Sequence, residues 1–456
     1  MEVVPVTAVS GAKRILIIST YNIRCGMASH TEVLISHLGK RYSIDVFPLD
    51  QFVLRNRDKR ASIAGDQAIR DLCPKLALYD VTIMQWEPGF WGLKHSQILK
   101  RVKLLTDHVQ RLVLVKHTVM PEPAMISYKA LKSVVNESGF SAALNYATEA
   151  AIGFHSRLYG YFKKIDRRGQ LTVITHTRRD KRFLELVVGF SDVRDHPLCH
   201  IHDEWADSIE ADGKAERRRL ETLYGADSIF VSTFGFLAEH KSLDTALTSL
   251  RMLPENYKLL IYGGIHQYTI KEFEPINPYV KRLVSTATGD PARLLKFAGA
   301  SRTSGKGADL TASSEAFDGL FEEVKPIKDR VIFMGAPDDY QFAVAIAASD
   351  ISVLPYLEVG QSASGPASQI VELGSKFIAT NAKPFAELVK YFPDRISMFD
   401  IGNYMQLATA IRTATFRPPH KPFSAPYNSG TQRDFYISAI EDTFAKASDQ
   451  RKKAAA

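Results

Sequence analysis

The stretch whose residues are best suited to chemistry lies between two short apolar runs, residues 351–354 and 376–380. Between them, residues 361–365 form a loop of small side chains, and Pro366 follows directly. Proline in a first helical turn after Ser or Gly predicts a helix start, and Gly374 is a natural stop. Such a loop would deliver a helix N-terminus to the carboxyl end of a strand, an arrangement that binds anions, above all phosphate. An ordinary strand–loop–helix turn would show the same residue types.

A lysine lies near a second strand end. Residues 228–232 form an apolar, strand-like run, and the segment Phe-Gly-Phe-Leu-Ala-Glu-His-Lys that ends at Lys241 follows it. A lysine beside a helix N-terminus can form a binding site for a diphosphate. The alternative is a solvated lysine at a helix start. Glycines at such strand ends, as at 263 and 264, let a ligand approach the backbone.

In the first half of the chain, His117 follows a buried strand pattern at 111–115, and Glu87 follows another at 81–84. A histidine at a strand end can hydrogen-bond a sugar hydroxyl or move a proton, and a carboxylate beside an aromatic ring such as Trp86 suits sugar hydroxyls. The alternatives are a structural histidine and a loop acid.

No metal or cofactor is predicted. His196, His200 and His202 lie near Cys199, but their spacing is not a strong ligand pattern. The sequence contains neither a Walker-type loop nor Gly-x-Ser-x-Gly, and it has no Asp-x-Asp, so a metal-held nucleotide diphosphate is not supported.

Composition sets the outer bounds. The chain has 456 residues, 45% hydrophobic and 24% charged, which predicts a globular protein with two domains. It has three widely spaced cysteines and no apolar run of about 18 residues, and its N-terminus does not resemble a secretory signal, so we expect a cytoplasmic location.

The net charge is +8, with basic clusters around 163–168, 178–182 and 217–219. They could contact an anionic acceptor or anionic lipid at the inner membrane face, or be solvated helix faces; nucleic acid is not indicated.

The secondary-structure elements that position these residues alternate regularly along the chain. Short apolar strands alternate with helices, which predicts an α/β protein of two doubly wound parallel sheets facing across a cleft. We place an acceptor-side domain at 1–222, a nucleotide-sugar domain at 223–428, and a last helix at 429–456 that crosses back to the first domain. Residues 1–12 look like a loose lead-in. The polar stretch 289–328 is longer than ordinary connections and suggests a lid or an insertion.

Several segments together resemble one family. They are Arg24-Cys-Gly-Met-Ala-Ser-His-Thr31, Gln85-Trp-Glu-Pro-Gly89, His117-Thr118, the Phe-Gly-Phe-Leu segment that ends at Lys241, and residues 348–365. The chain resembles the family-4 retaining glycosyltransferases, which have the GT-B fold of two Rossmann-like domains. The resemblance implies transfer of a sugar from a nucleotide-diphosphate donor with retention at the anomeric carbon. It also implies that no metal is needed.

The resemblance and the strand-end positions together give the expected site. Catalytic roles fall to His117, Lys241 and Glu87. Acceptor contacts fall to Arg24, Trp86 and His155. The expected donor-site residues are Gly26, Gly235, Lys241, Gly264, His266, Glu358, Gln361, Ser362, Ala363, Ser364, Gly365, Gln369 and Glu372.

The chain departs from the family pattern at the donor site. Phe236 stands where the family has a second, arginine contact to the diphosphate, and Gln361 and Gln369 stand where it has two glutamates. Glu372, one helical turn after Gln369, would lie near the ribose in an alternative register.

The leading prediction is a retaining glycosyltransferase that acts on a glycan or lipid-linked acceptor in cell-surface polysaccharide or glycolipid synthesis. The alternative is a degenerate GT-B protein that binds a nucleotide sugar or glycan without turnover, as the two glutamines suggest. An epimerase or a phosphorylase would need features that are not visible here.

Overall fold

The computed structural model describes residues 1–23, 25–119, 135, 153–265, 277–287, 327, 329–414 and 425–455. The chain forms two compact units. The N-terminal unit comprises Met1–Leu198 and Thr431–Ala456, and the C-terminal unit comprises Cys199–Gly430. Most of the predicted insertion at 289–328 lies outside the described residues.

The N-terminal unit contains a seven-stranded sheet with the order β1-β3-β2-β4-β5-β6-β7. Its strands are β1 Val4–Thr7, β2 Arg14–Ser19, β3 Ser43–Pro48, β4 Val81–Trp86, β5 Leu112–Lys116, β6 Leu171–Thr175 and β7 Val193–Asp195. All neighbours pair in parallel except β1, which is antiparallel to β3. Every residue of β4, β5 and β6 is buried, as expected for parallel strands covered on both faces.

Helices cover both faces of this sheet. They are Gly26–Leu38, Gln51–Leu54, Lys59–Leu72, His95–His108, Phe154–Asp166 and Arg178–Phe183, with 3-10 turns at Cys73–Leu78 and Pro88–Phe90 and a π-helical turn at Leu184–Val188. The C-terminal helix Ser429–Ala455 belongs largely to this unit, because Tyr436, Ala439 and Ile440 share a core layer with Ile15 and other strand residues. The predicted return of this helix is confirmed.

The predicted loose lead-in is wrong. Val4–Thr7 forms the edge strand β1, and Thr7 Oγ1 accepts a hydrogen bond from Ile44 N at 3.1 Å. Edge strands need only one paired side and little apolar content, so the segment lacks the buried pattern of the central strands.

The C-terminal unit contains a parallel six-stranded sheet with the order β10-β9-β8-β11-β12-β13. Its strands are β8 Ile229–Phe234, β9 Tyr257–Tyr262, β10 Val331–Gly335, β11 Ile351–Leu354, β12 Phe377–Thr380 and β13 Ile396–Phe399. Its helices are Ala206–Tyr224, Leu243–Leu250, Pro278–Ala287, Asp339–Ala348, Gly365–Glu372, Lys383–Leu388 and Tyr404–Thr413, with 3-10 turns at Asp203–Trp205 and Glu239–Lys241. This is the doubly wound order, which reverses direction between β8 and β11.

The division between the units comes earlier in the chain than the predicted boundary at 222. The charged helix Ala206–Tyr224 packs in the C-terminal unit, where a Cβ on Gly213 would lie only 2.6 Å from the Cβ of Ala347. Arg217 of this helix forms an ion pair with Asp350, whose carboxylate also accepts from Phe230 N at 2.7 Å. Ile209 and Leu220 of the same helix are buried in the core of this unit. A mostly polar helix therefore belongs to the C-terminal unit through long-range contacts that its composition does not reveal.

None of the helices in the described part of the chain has both the length and the apolar content needed to span a membrane.

Candidate active site

The C-terminal unit has a switch point between β8 and β11, which pair in parallel and lead into different loops. In doubly wound sheets, ligands bind where the strand order reverses, outside the carboxyl ends of the strands. The two loops are joined there by a hydrogen bond from Leu357 N to His240 O at 2.8 Å. The predicted anion-binding loop and the predicted lysine therefore lie at one place in the sheet.

The helix after β11 begins as predicted. Ser364 is its N-cap with extended backbone (φ −128°, ψ 118°), and its side chain accepts from Ala367 N. Pro366 lies in the first turn, where a missing N–H costs nothing. The buried His200 packs against this N-terminus, since a Cβ on Gly365 would lie 3.4 Å from His200 Nε2. The first turn thus brings a helix dipole and an imidazole to the switch point.

Lys241 is almost wholly buried, and its ammonium lies 3.6 Å from the centre of the Tyr356 ring. The ring orients this cation by cation–π attraction. The Tyr356 hydroxyl is 3.5 Å from Ser364 Oγ, so Lys241, Tyr356 and the helix N-cap form one cluster. We define these three residues as the lysine cluster. Burial, together with the positive charge of Lys241, lowers the pKa of the adjacent His240 to about 4, so that imidazole is neutral at pH 7.

Glycines hold the strand ends close together. Gly235 has φ +119°, and a Cβ there would lie 3.4 Å from Lys241 Cε. A Cβ on Gly263 would lie only 1.8 Å from the carbonyl oxygen of Gly235. Leu237 N donates to Gly264 O at 2.9 Å. The backbones after β8 and β9 therefore touch, and a side chain would separate them.

Two residues of the predicted donor loop use their polar atoms within the loop. Gln361 Nε2 donates to Ala363 O at 2.5 Å. The Glu358 carboxylate accepts from Gly360 N and Lys383 N, both at 2.6 Å. Ser362 is buried next to them. These contacts shape the loop and give Glu358 a structural role as a cap.

Gln369 and Glu372 lie on the buried face of the helix Gly365–Glu372. Gln369 Oε1 has no hydrogen-bond partner among the described residues, although it is buried. Glu372 Oε2 instead accepts from the backbone N–H of His200 at 2.8 Å and of Ile201 at 3.1 Å. Glu372 therefore has a structural role, and Gln369 is the better candidate for a ribose contact.

Burial raises the pKa of Glu372 to about 8, although hydrogen bonds from the backbone of His200, Ile201 and Ser429 oppose this. The folded state therefore holds a proton that the unfolded chain loses near pH 4.5, and stability should fall as the pH rises from 4.5 to 8. Replacing Glu372 by Gln should cost under about 1 kcal/mol at pH 7 and remove this contribution to the pH dependence. Replacing it by Leu strands the buried N–H groups and should cost about 2–5 kcal/mol. Unfolding at pH 5 and 8 measures both variants, and equal losses in both would contradict the assignment.

In the N-terminal unit, His117 lies just after β5 and contacts the buried amide of Gln85 through Nε2. The same amide oxygen, Gln85 Oε1, lies 3.0 Å from His30 Nδ1. The ring of His176 is 4.9 Å from that of His117 and 5.9 Å from that of His30. One amide oxygen accepts from two imidazoles only if both nitrogens carry protons, so the contact with Gln85 places a proton on His117 Nε2 and on His30 Nδ1.

Burial lowers the pKa of His30 to about 4, against the opposing hydrogen bonds to Gln85 and Gln432. The unfolded chain takes up this proton near pH 6.5, so stability should fall as the pH drops below 6.5. We expect this histidine to lower the free energy of unfolding by about 2 kcal/mol between pH 7 and 5. Urea unfolding of wild type and His30→Asn at both pH values tests this. A pH dependence that is the same in both proteins would contradict it.

Glu87 and Lys116 form a second pair of titratable groups in this unit. Burial raises the pKa of Glu87, opposed by hydrogen bonds from Thr118 and Gly89 and by the charge of Lys116. Burial likewise lowers the pKa of Lys116 to about 8, opposed by Glu87 and Asp180. The Lys116 ammonium lies 5.1 Å from the Tyr159 ring centre. Glu87 follows β4 and His117 follows β5, and these two strands are neighbours in the sheet. The buried environment of Glu87 increases the basicity of its carboxylate.

The other predicted residues of this unit differ in how well they suit a ligand. Trp86 is fully buried and its ring stacks on Trp91 at 5.6 Å, so we leave it out of the proposed acceptor site. His155 is half-buried in the first turn of the helix Phe154–Asp166. Gly26 begins the helix Gly26–Leu38 with open space where its Cβ would be. Arg24 and His266 lie outside the described residues.

Sequence reasoning did not single out His30, His176 or Tyr356. Their main partners, such as Gln85 for His30 and Lys241 for Tyr356, are far away in the chain, and a single sequence carries no signal for such contacts. Tyr356 directly follows Pro355 at the end of β11, and this position was the one available hint. In the described residues, no group of three or more His, Cys, Asp or Glu side chains is placed to hold a metal ion.

The fold is similar to that of solved structures. An α,α-trehalose 6-phosphate synthase from Burkholderia multivorans superposes with a TM-score of 0.58 at 11% identity, over 96% of this chain and 98% of that one. A sucrose-phosphate synthase from Thermosynechococcus elongatus gives 0.52 at 13% identity, over 97% and 99%. HepE from Anabaena, in complex with UDP and glucose, gives 0.50 at 12% identity, over 97% and 100%.

These likenesses confirm the predicted fold class: the two parallel Rossmann-like sheets and the C-terminal helix are the GT-B architecture. At the level of sequence, no protein-family model matches the chain, and no curated protein matches it.

Proposed function

We propose that the protein is a nucleotide-sugar-dependent glycosyltransferase of the retaining, family-4-like kind. The main support for this proposal is the lysine cluster, in which a buried ammonium and a helix N-terminus lie together at the switch point of the C-terminal sheet. A buried cation beside helix N–H groups is suited to a diphosphate that gains charge as it leaves the sugar. HepE, which shares the fold, binds UDP and glucose in its crystal structure, and this supports a nucleotide-sugar donor here.

The donor would bind to the C-terminal unit, with its diphosphate at Lys241 and residues 362–365 and its nucleoside near Gly235 and Gly264. Gln369, whose buried oxygen has no hydrogen-bond partner among the described residues, would meet the ribose hydroxyls. An amide hydrogen-bonds hydroxyls without a charge, so we expect weaker ribose binding than a carboxylate gives. Gln361 would meet the donor sugar only after releasing Ala363 O.

The acceptor, a glycan or a lipid-linked sugar, would bind to the N-terminal unit. There His117 would contact the transferred sugar, and Glu87 and His155 would contact the acceptor. Alignment of the two substrates supplies most of the rate enhancement in such a reaction, and the leaving diphosphate itself can take the acceptor proton.

Turnover of a nucleotide sugar tests this proposal. Purified protein is incubated without metal with a panel of UDP-, GDP- and ADP-sugars, and release of the nucleoside diphosphate is measured with and without candidate glycan acceptors. We expect slow release from one donor alone and faster release with its acceptor. Binding of a nucleotide sugar with no release under any condition would favour the non-catalytic alternative, which Gln361 and Gln369 suggest. Absence of both binding and release would contradict both functions.

A further inference from the structure

Two aliphatic side chains stand far out from the surface of the N-terminal unit. Leu186 is 82% exposed and Val187 is 70% exposed, the highest values among the large hydrophobic residues that the structure describes. Both lie in the π-helical turn Leu184–Val188, whose end residues Leu184 and Val188 are buried. Gly189, with φ +77°, ends the turn. The buried ends fix the turn, so the exposed pair is held outward by the fold.

Basic side chains lie on two helices next to this pair. Arg178, Arg179 and Arg182 are exposed on the helix that leads into the turn. A second basic group, residues 163–168, ends the neighbouring helix and lies close by, because a Cβ on Gly189 would be 3.8 Å from Lys163 Nζ. Residues 163–187 carry eight Lys and Arg against three Asp and Glu.

The acidic residues of this segment are fewer than the basic ones. Glu185 and Asp195 approach Lys181, at 3.9 and 3.5 Å. Asp166 accepts from Ser191 Oγ at 2.6 Å, and Asp180 is buried. We define the exposed pair with Arg178, Arg179, Arg182, Lys164, Arg167 and Arg168 as the basic-apolar surface.

We propose that the basic-apolar surface docks on an anionic lipid bilayer, with Leu186 and Val187 entering the interface and the arginines contacting headgroup phosphates. Short apolar protrusions flanked by basic side chains suit a bilayer, where apolar burial and attraction to anionic lipid add. A protein interface would need a larger apolar core than two side chains provide. The inference does not depend on the proposed glycosyl transfer.

Vesicle co-sedimentation of the full chain tests the proposal. The vesicles are of phosphatidylglycerol mixed equally with phosphatidylcholine, or of phosphatidylcholine alone. We expect binding to the anionic vesicles only, weakening as salt is added. Replacing Leu186 and Val187 by Ser should lower the partition coefficient at least about tenfold. Replacing Arg178, Arg179 and Arg182 by Ser should lower it roughly a hundredfold, since each basic residue contributes about a fivefold factor.

Matched controls lie in the C-terminal unit. Leu223→Ser, at a side chain 56% exposed, and Arg218→Ser, at an exposed arginine, should leave binding unchanged. Insertion is read separately from a Val187→Trp variant, whose emission should shift to the blue and be quenched by brominated lipid, beyond the signal of the three native tryptophans. All variants are first checked for folding by circular dichroism.

Three results would overturn the proposal. The first is no binding of the folded wild type to anionic vesicles. The second is a Leu186/Val187 variant that binds as well as wild type, which would leave only surface charge. The third is a Val187→Trp signal that does not change with lipid, which would favour a protein partner for this surface.

Discussion

Lys241→Met is expected to reduce glycosyl transfer by about a thousandfold and nucleoside diphosphate binding by about a hundredfold, with the fold intact. Methionine keeps most of the unbranched stem that passes Gly235 but removes the charge. Removing one preorganised donor to a developing anion costs a hundredfold to a thousandfold in turnover, and a buried charge partner costs about 2–5 kcal/mol in binding. The Lys241 ammonium is nearly buried, so salt and water weaken its effect little.

The matched control is Lys376→Met, an exposed lysine that precedes β12 in the same sheet, at the end opposite to the switch point. It should leave binding and turnover unchanged. Both variants are measured by calorimetric titration and by diphosphate release. Normal turnover by folded Lys241→Met would show that the diphosphate binds elsewhere.

Gly263→Ala is expected to destabilise the C-terminal unit by about 3 kcal/mol or more, a drop in its melting temperature of at least about 6 °C. The added Cβ would lie 1.8 Å from Gly235 O and 2.8 Å from Gly235 C, which are backbone atoms with no rotamer to change. Relief requires moving β8 away from β9 at the hydrogen bond from Gly235 N to Tyr262 O, 3.0 Å long. That shift would also displace Lys241, so nucleotide affinity should fall as well.

Gly160→Ala is the control for this change. Gly160 lies in the helix Phe154–Asp166 with open space at its Cβ position, so alanine should stabilise the helix by up to about 1 kcal/mol. Calorimetric melting compares the two variants. A Gly263→Ala protein with wild-type melting would mean that the two strand ends are farther apart than the structure shows.

Local patterns carried the prediction of the fold. Strands such as β4, β5 and β11 are short apolar runs because both of their faces are covered, and their periodicity is readable from the chain alone. The start of the helix Gly365–Glu372 was equally readable, because a Ser cap and a proline in the first turn are local chemistry. The doubly wound arrangement was also predictable, since strands and helices alternate along the chain.

The parts that could not be predicted depend on contacts across the fold. Nothing near His30 in sequence shows that Gln85 and Gln432 would surround it. Trp86 comes just after the strand pattern at 81–84. Such a pattern does not indicate whether the Trp86 side chain faces the core or a ligand. Glu372 looked like a ribose ligand by its helical spacing, and only the structure shows the N–H groups of His200 and Ile201 at its carboxylate.

The measurement that tests the central claim most directly is calorimetric titration of the wild-type protein with UDP, GDP and ADP and with their nucleosides, in buffer containing EDTA. If the lysine cluster holds a diphosphate, one nucleoside diphosphate should bind at least about a hundredfold more tightly than its nucleoside, without metal, because the charged phosphates supply the difference. If no nucleoside diphosphate binds, or if one binds no more tightly than its nucleoside, the lysine cluster is not a donor diphosphate site.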